Sequence, residues 1–401
     1  MEKYTLKASI EDGKLCFDLS GVINSRNAKE FGDIVAAERE KHPKGSIVFN
    51  CDGLEHITSA GLRVFLLLST KEKKTIRLVN VSPMIYDIFD VTGISQIFEV
   101  VKAPRDISHE ETRKMGSSGG ITAYYIGEDT LLKVYPDGTR LDTIEKERKN
   151  AQAALLSGIP TIIAYDVVTY QGHYGMLYEL VKANTVAALL EDTPWKLGQY
   201  AEKMGHLLKK IHSSTLKNVE LPRASEIYKD WARGMAPWLH SMEIDVLKWL
   251  IDSIPEAENI LYGSFHAYNV FIQHGKPFLI NMAGLCYGNP VYDLGTIYMI
   301  YRNESEKLTK RLSGLEPFQA EKFWKAMMAA YFDCDEPAVK KYEETIRAAA
   351  LLRSALYPAS YQVSHGDGIS EEDTELFVAQ ARRNLFPSAE RLASLLEEQI
   401  P

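Results

Sequence analysis

Cysteine is scarce in this chain: Cys16, Cys51, Cys286 and Cys334 are the only four among 401 residues, and no two form a Cys-x-x-Cys pair. Neither a disulfide framework nor a zinc site is therefore expected, and reduced thiols in a cytoplasm fit best. No apolar run reaches the roughly 18 residues of a membrane span. The opening MEKYTLKASIEDG is charged and strand-like rather than a signal sequence. A basic stripe is also missing, and the net charge of −8 argues against nucleic acid as a partner, because phosphate contacts need a basic face. There is no internal repeat and no low-complexity tract. What remains is ordinary for globular protein, with 45% hydrophobic and 25% charged residues, long enough for two or three domains that each bury a core.

The first hundred residues alternate strands and helices after an initial hairpin. Tyr4 to Ile10 and Lys14 to Gly21 flank the turn Glu11-Asp12-Gly13, and Ser25-Arg26-Asn27 opens a helix with Ala28, Phe31, Ile34 and Val35 on one face. Gly45 to Asn50 is a buried strand, SAGLRVFLLLSTK a helix, Thr75 to Asn80 a strand, and Ser82-Pro83 starts a helix through Phe89. A mainly parallel or mixed sheet with helices on one side is expected. Phe49-Asn50-Cys51-Asp52, Ile57-Thr58-Ser59-Ala60-Gly61-Leu62 and Thr92-Gly93 resemble the STAS domain of anti-sigma factor antagonists and sulfate-transporter tails. The resemblance implies a protein-binding face and places the antagonists' phosphorylated serine at Ser59, although Thr58 stands where they carry Asp. The alternative is that Thr58 and Ser59 only cap the helix.

A second resemblance centres on Ile260 to Asp293, which reads as two short strands around a tight turn with polar groups gathered at the turns. Gly263, His266, Asn269, Ile280, Gly288, Pro290 and Asp293 match the catalytic segment of aminoglycoside phosphotransferases, choline kinases and their relatives, small-molecule kinases with the protein-kinase fold. Ser264 stands where that family has its catalytic Asp, and Asn281 where it has its magnesium-binding Asp; Tyr262 and Asn289 are further departures. A serine hydroxyl is no base, and losing general-base help costs roughly 10²- to 10⁴-fold. Asn281 and Asn269 can each offer a carbonyl oxygen to a cation but bring no negative charge, so magnesium should bind weakly. His266 either braces the loop or acts as a base, and Asp293 is expected to tie down backbone amides.

The same resemblance orders the stretch before it. A polar linker at 106–115 leads into a glycine cluster, Gly116, Gly119 and Gly120, which would cover the phosphates of a nucleotide. Lys133, at the end of the strand Thr130 to Tyr135, would hold the α- and β-phosphates and pair with Glu147, for which Glu145 is a rival; otherwise Lys133 is a solvated charge. Backbone groups from Tyr178 through Glu179 to Val181 would meet an adenine edge. His206 and His212 fall on different faces of the helix Trp195 to Ser213, which argues against a metal pair. Residues 222 to 256 read as two helices, and Glu304, Glu306, Glu344 and Asp373 as acids on solvated faces.

The expectation is thus an α/β and α+β chain: a STAS domain at 1–105, a linker at 106–115, a kinase-like small lobe at 116–182 and a mainly helical large lobe at 183–401. Its expected role is that of a cytoplasmic bacterial regulator, in which a partner-binding face near Ser59 is coupled to a pseudo-phosphotransferase that binds ATP, with or without Mg2+, or another small ligand. Two alternatives stay open: an active ATP-dependent hydroxyl kinase with an altered metal site, and a scaffold that binds no nucleotide.

Overall fold

A computed structural model describes residues 4–11, 13–71, 76–118, 120–217, 219–334, 336–365, 368–398 and 400. The chain divides into two compact units, residues 1–106 and 107–401.

In the first unit the strands lie in sequence order. Tyr4–Glu11 pairs antiparallel with Lys14–Ile23, and Ile47–Ile57, Ile76–Val81 and Glu99–Lys102 follow in parallel. Leu15, Phe17 and Leu19 are buried while Asp18 is exposed, the period-two pattern of a sheet covered on one face. Helices Ala28–Lys41, Ser59–Lys71 and Pro83–Val91 connect the parallel strands. Phe65 sits among Phe31, Phe49, Phe89 and Phe98 with ring centroids 5.0 to 6.3 Å apart. Truncating such a ring to alanine costs about 3–5 kcal/mol. Gly61 lets the helix Ser59–Lys71 start hard against the sheet, since a Cβ there would lie 2.5 Å from Ile23 and 2.7 Å from Ile57.

The second unit begins with an antiparallel sheet in which Ala164–Tyr170, His173–Glu179, Thr130–Val134, Ile121–Ile126 and Thr112–Ser118 are successive neighbours. Part of the stretch expected to be a linker is therefore a strand. Thr112–Ser118 is an edge, and its exposed charges, Arg113 and Lys114, are the polarity that read as a linker. Gly116 lies inside that strand at a register shift, so the expected glycine loop is instead a hairpin; Gly120 occupies its turn at φ 75°, and Gly119 lies outside the described residues. The strand Ala164–Tyr170 is preceded by Thr161, which makes an isolated bridge to Leu279.

The rest is mainly helical. Helix Val291–Tyr301 is buried at every position, which explains its mainly apolar sequence, broken by Asp293 and Thr296. Helices Leu197–His212 and Pro317–Phe332 pack closely at Gly205, where a Cβ would fall 2.3 Å from the Met327 carbonyl oxygen. Asp373 is a correction: it is 7% exposed, not solvated, because it sits in the first turn of Glu371–Gln380 and pairs with Arg311. Glu304, Glu306 and Glu344 are exposed as expected. Among the described residues no helix is long and apolar enough to cross a membrane.

Candidate functional site

Lys133 lies on a central strand, opposite Met176 on one side and Ala123 on the other, and its side chain leaves the sheet toward helix Leu141–Leu156. There its Nζ donates to Glu147 Oε1 at 2.7 Å. Glu145, the rival, points away and binds Arg148 at 2.8 Å. Two hydroxyls complete the cluster: Tyr178 donates to Glu147 Oε1 and Tyr135 to Oε2, each at 2.8 Å. Burial, reinforced by the neighbouring carboxylate, holds both hydroxyls far above the usual tyrosine range, so they remain donors at every working pH. Sequence reasoning missed these tyrosines, although the register carried the signal. Residues 131, 133 and 135 share one face of a strand, and Tyr178 faces Leu131 across the antiparallel pair.

At the end of the strand His173–Glu179 the backbone N–H of Glu179 is taken by Ile163 and that of Leu180 by Asp129. The N–H of Val181 has no backbone partner among the described residues. Asn184–Thr185 then pairs with Val270–Gln273, and the Thr185 hydroxyl caps helix Val186–Asp192 by accepting from Ala188 N.

The segment 260–293 is built from short ladders. Asn259–Leu261 pairs with Cys286–Gly288, and Val270–Gln273 with Lys276–Leu279 across a two-residue turn in which His274 and Gly275 both have positive φ. Asp293, 1% exposed, accepts from Tyr262 N at 2.7 Å and Gly263 N at 2.9 Å, and from His212 Nε2 at 3.1 Å. His212 in turn meets the Tyr331 hydroxyl at 2.7 Å. This chain of buried polar groups fixes where the loop leaves the core. Gly263 has φ 79°, and a Cβ there would lie 2.7 Å from the Gly284 carbonyl oxygen, so only glycine fits.

Beyond that anchor the structure brings Ser264, His266 and Asn269 together. Asn269 Nδ2 donates to the Ser264 carbonyl at 2.9 Å and lies 3.3 Å from Ser264 Oγ and 3.0 Å from His266 Nε2. Nε2 therefore accepts and the ring carries its proton on Nδ1, which is buried without a partner. Burial pulls His266 down to about 4, so the ring is neutral at physiological pH and its accepting nitrogen is already engaged. That arrangement braces the loop. Asn281 is exposed, and its Oδ1 accepts from Ala283 N at 3.1 Å. The donor set a divalent metal would find is thus two amide oxygens, one of them occupied, with no carboxylate. Among the described residues no group of three or more His, Cys, Asp or Glu could hold a metal ion. These residues do not fit a tight magnesium site.

In the first unit Ser59 is exposed in the opening turn of its helix. Thr58 Oγ1 is buried without a hydrogen-bond partner, so the expected threonine side-chain cap is not made.

The fold and these two sites define a STAS domain joined to a phosphotransferase-type domain. The STAS domain profile matches residues 5–107 and that of the phosphotransferase enzyme family, APH, residues 116–315. Through its first segment the chain belongs to the STAS family, and its second segment matches the phosphotransferase profile. It is similar to BtrV of Bordetella bronchiseptica, named as an anti-sigma factor antagonist, with 33% identity over 95 residues, 23% of this chain and 81% of that protein. Among solved structures it resembles a choline/ethanolamine kinase family protein from Mesorhizobium loti, at 13% identity and TM-score 0.49 over 73% of this chain and 94% of the other. A gentamicin complex of aminoglycoside phosphotransferase APH(2")-IIa aligns at 13% identity and TM-score 0.48, over 71% and 93%.

Proposed function

We propose that this chain is a regulatory protein in which a STAS partner-binding domain is coupled to a pseudo-phosphotransferase domain that binds nucleotide without transferring phosphate. One observation supports the reading: Lys133 and Glu147 form the buried ion pair that the family resemblance implies for a phosphate site, while the two positions where it implies carboxylates hold Ser264 and Asn281. Phosphoryl transfer depends on neutralising developing charge with metal and on orienting the attacking hydroxyl, and neither task has a carboxylate here. His266 does not substitute, because its ring is a braced, neutral acceptor whose basic nitrogen is spoken for. Lys133 still offers a cation to phosphates and Val181 an amide to an adenine edge. The STAS domain supplies the output through the exposed surface around Ser59, where a phosphate would place roughly −1.5 to −2 charges at a helix N-terminus.

The test is restoration. Ser264→Asp with Asn281→Asp should create ATP hydrolysis or transfer in a chain that otherwise shows none. Turnover by the wild-type protein at rates typical of kinases would sink the pseudo-enzyme reading. Pull-down with Ser59→Asp against Ser59→Ala tests the output, and identical partner sets for both would remove Ser59 from it.

A further inference from the structure

The second unit buries a guanidinium for which the described residues supply no ion-pair partner. Arg353, on helix Glu336–Ala355, is 7% exposed, yet no carboxylate among the described residues lies within ion-pair distance of it. Its Nη1 donates to Ser360 Oγ at 2.9 Å, and its Nε is buried without a partner. The indole of Trp231 lies 4.8 Å from its Cζ and the phenol of Tyr357 5.4 Å. Asp373, the acid beyond Tyr357, pairs with Arg311 through Oδ2, while its buried Oδ1 has no hydrogen-bond partner and lies outside ion-pair distance of the Arg353 guanidinium. Two ring contacts and one neutral hydrogen bond recover only part of what a guanidinium loses on leaving water. The remaining in-plane N–H donors match the two oxygens of a carboxylate or phosphate.

We propose that Arg353 is the anchor of a binding site for a small organic oxyanion, whose carboxylate or phosphate seats on the guanidinium edge while its apolar body lies on the half-buried rings of Trp231 and Tyr357. The site shares no residue with the cluster of Lys133, Glu147, Tyr135 and Tyr178, and its occupation is proposed to be independent of nucleotide binding. It also accounts for an arginine held on helix Glu336–Ala355 against Trp231, from helix Ala224–Gly234, rather than in water.

The experiment titrates the full chain with benzoate and, separately, with inorganic phosphate, reading tryptophan fluorescence and heat. Saturable binding of at least one probe is expected in the wild type and equally in Lys133→Ala, which removes the nucleotide cleft as its source. Arg353→Lys, which keeps the charge but loses the fork, should weaken binding at least tenfold, and Arg353→Met should abolish it while leaving the melting temperature unchanged or raised. Binding of one probe alone identifies the oxyanion. The proposal is overturned if neither probe binds, if Arg353→Lys binds as tightly as wild type, or if binding disappears in Lys133→Ala. Should Arg353→Met fail to fold, Arg353→Lys alone decides.

Discussion

Replacing Lys133 by alanine leaves the Glu147 carboxylate 6% exposed with only two neutral donors, Tyr135 and Tyr178, in place of three contacts that include a cation. Removing one partner of a buried ion pair costs about 3–5 kcal/mol. Lys133 keeps 17% of its side chain in water and the two hydroxyls still bind the carboxylate, so the lower end applies, about 3 kcal/mol. For a unit of this size, residues 107–401, that is a fall of roughly 5 °C in melting temperature. Glu147→Gln should cost a similar amount by stranding the ammonium. The double variant Lys133→Ala/Glu147→Gln should cost clearly less than the sum, with a coupling of about 1–3 kcal/mol. Urea unfolding of the four proteins measures this, and additivity within about 0.5 kcal/mol would show that the pair does not form and that the cleft is not held as described.

Three smaller tests follow from the same geometry. Gly263→Ala forces a side chain into φ 79° and against the Gly284 carbonyl, and should cost about 2–3 kcal/mol or more in equilibrium unfolding; a loss under 0.5 kcal/mol would mean the loop relaxes freely. His266 has a folded-state value near 4 against 6.5 when unfolded, so the unfolded chain binds the extra proton between those values. Its contribution, about 3 kcal/mol, is present above pH 6.5 and is lost as pH falls toward 4, and His266→Asn should flatten that slope; an unchanged slope would place the loss elsewhere. Tyr135 and Tyr178 titrate far higher in the folded state than in the unfolded chain, so their contribution is complete below pH 10 and declines above it. Phenylalanine at both positions should weaken that alkaline decline, and an identical alkaline profile would contradict the hydroxyl cluster.

Much of this was legible because period and turn chemistry are local. The alternation of Leu15, Phe17 and Leu19, the helix beginning at Ser59 and the ladder around His274-Gly275 follow from neighbours a few residues apart. Residue spacing also led to Lys133, Glu147 and Asp293, because a family pattern fixes them in order along the chain. The misses are of another kind. An exposed edge strand such as Thr112–Ser118 carries charges on its free face and reads as linker, and hydrogen bonds to Ile121–Ile126, not composition, decide its state. Asp373 looks solvated until Arg311, 62 positions away, is folded against it. Arg353, Tyr135 and Tyr178 matter through partners on other elements, and no local period encodes those meetings.

Calorimetric titration of the full chain with ATP, with and without magnesium and beside Lys133→Ala, tests the central claim most directly. A nucleotide-binding pseudo-phosphotransferase predicts binding that is little changed by magnesium, lost in Lys133→Ala, and unaccompanied by ADP formation. Binding that strengthens tenfold or more with magnesium and proceeds to ADP would contradict it, and so would no binding at all.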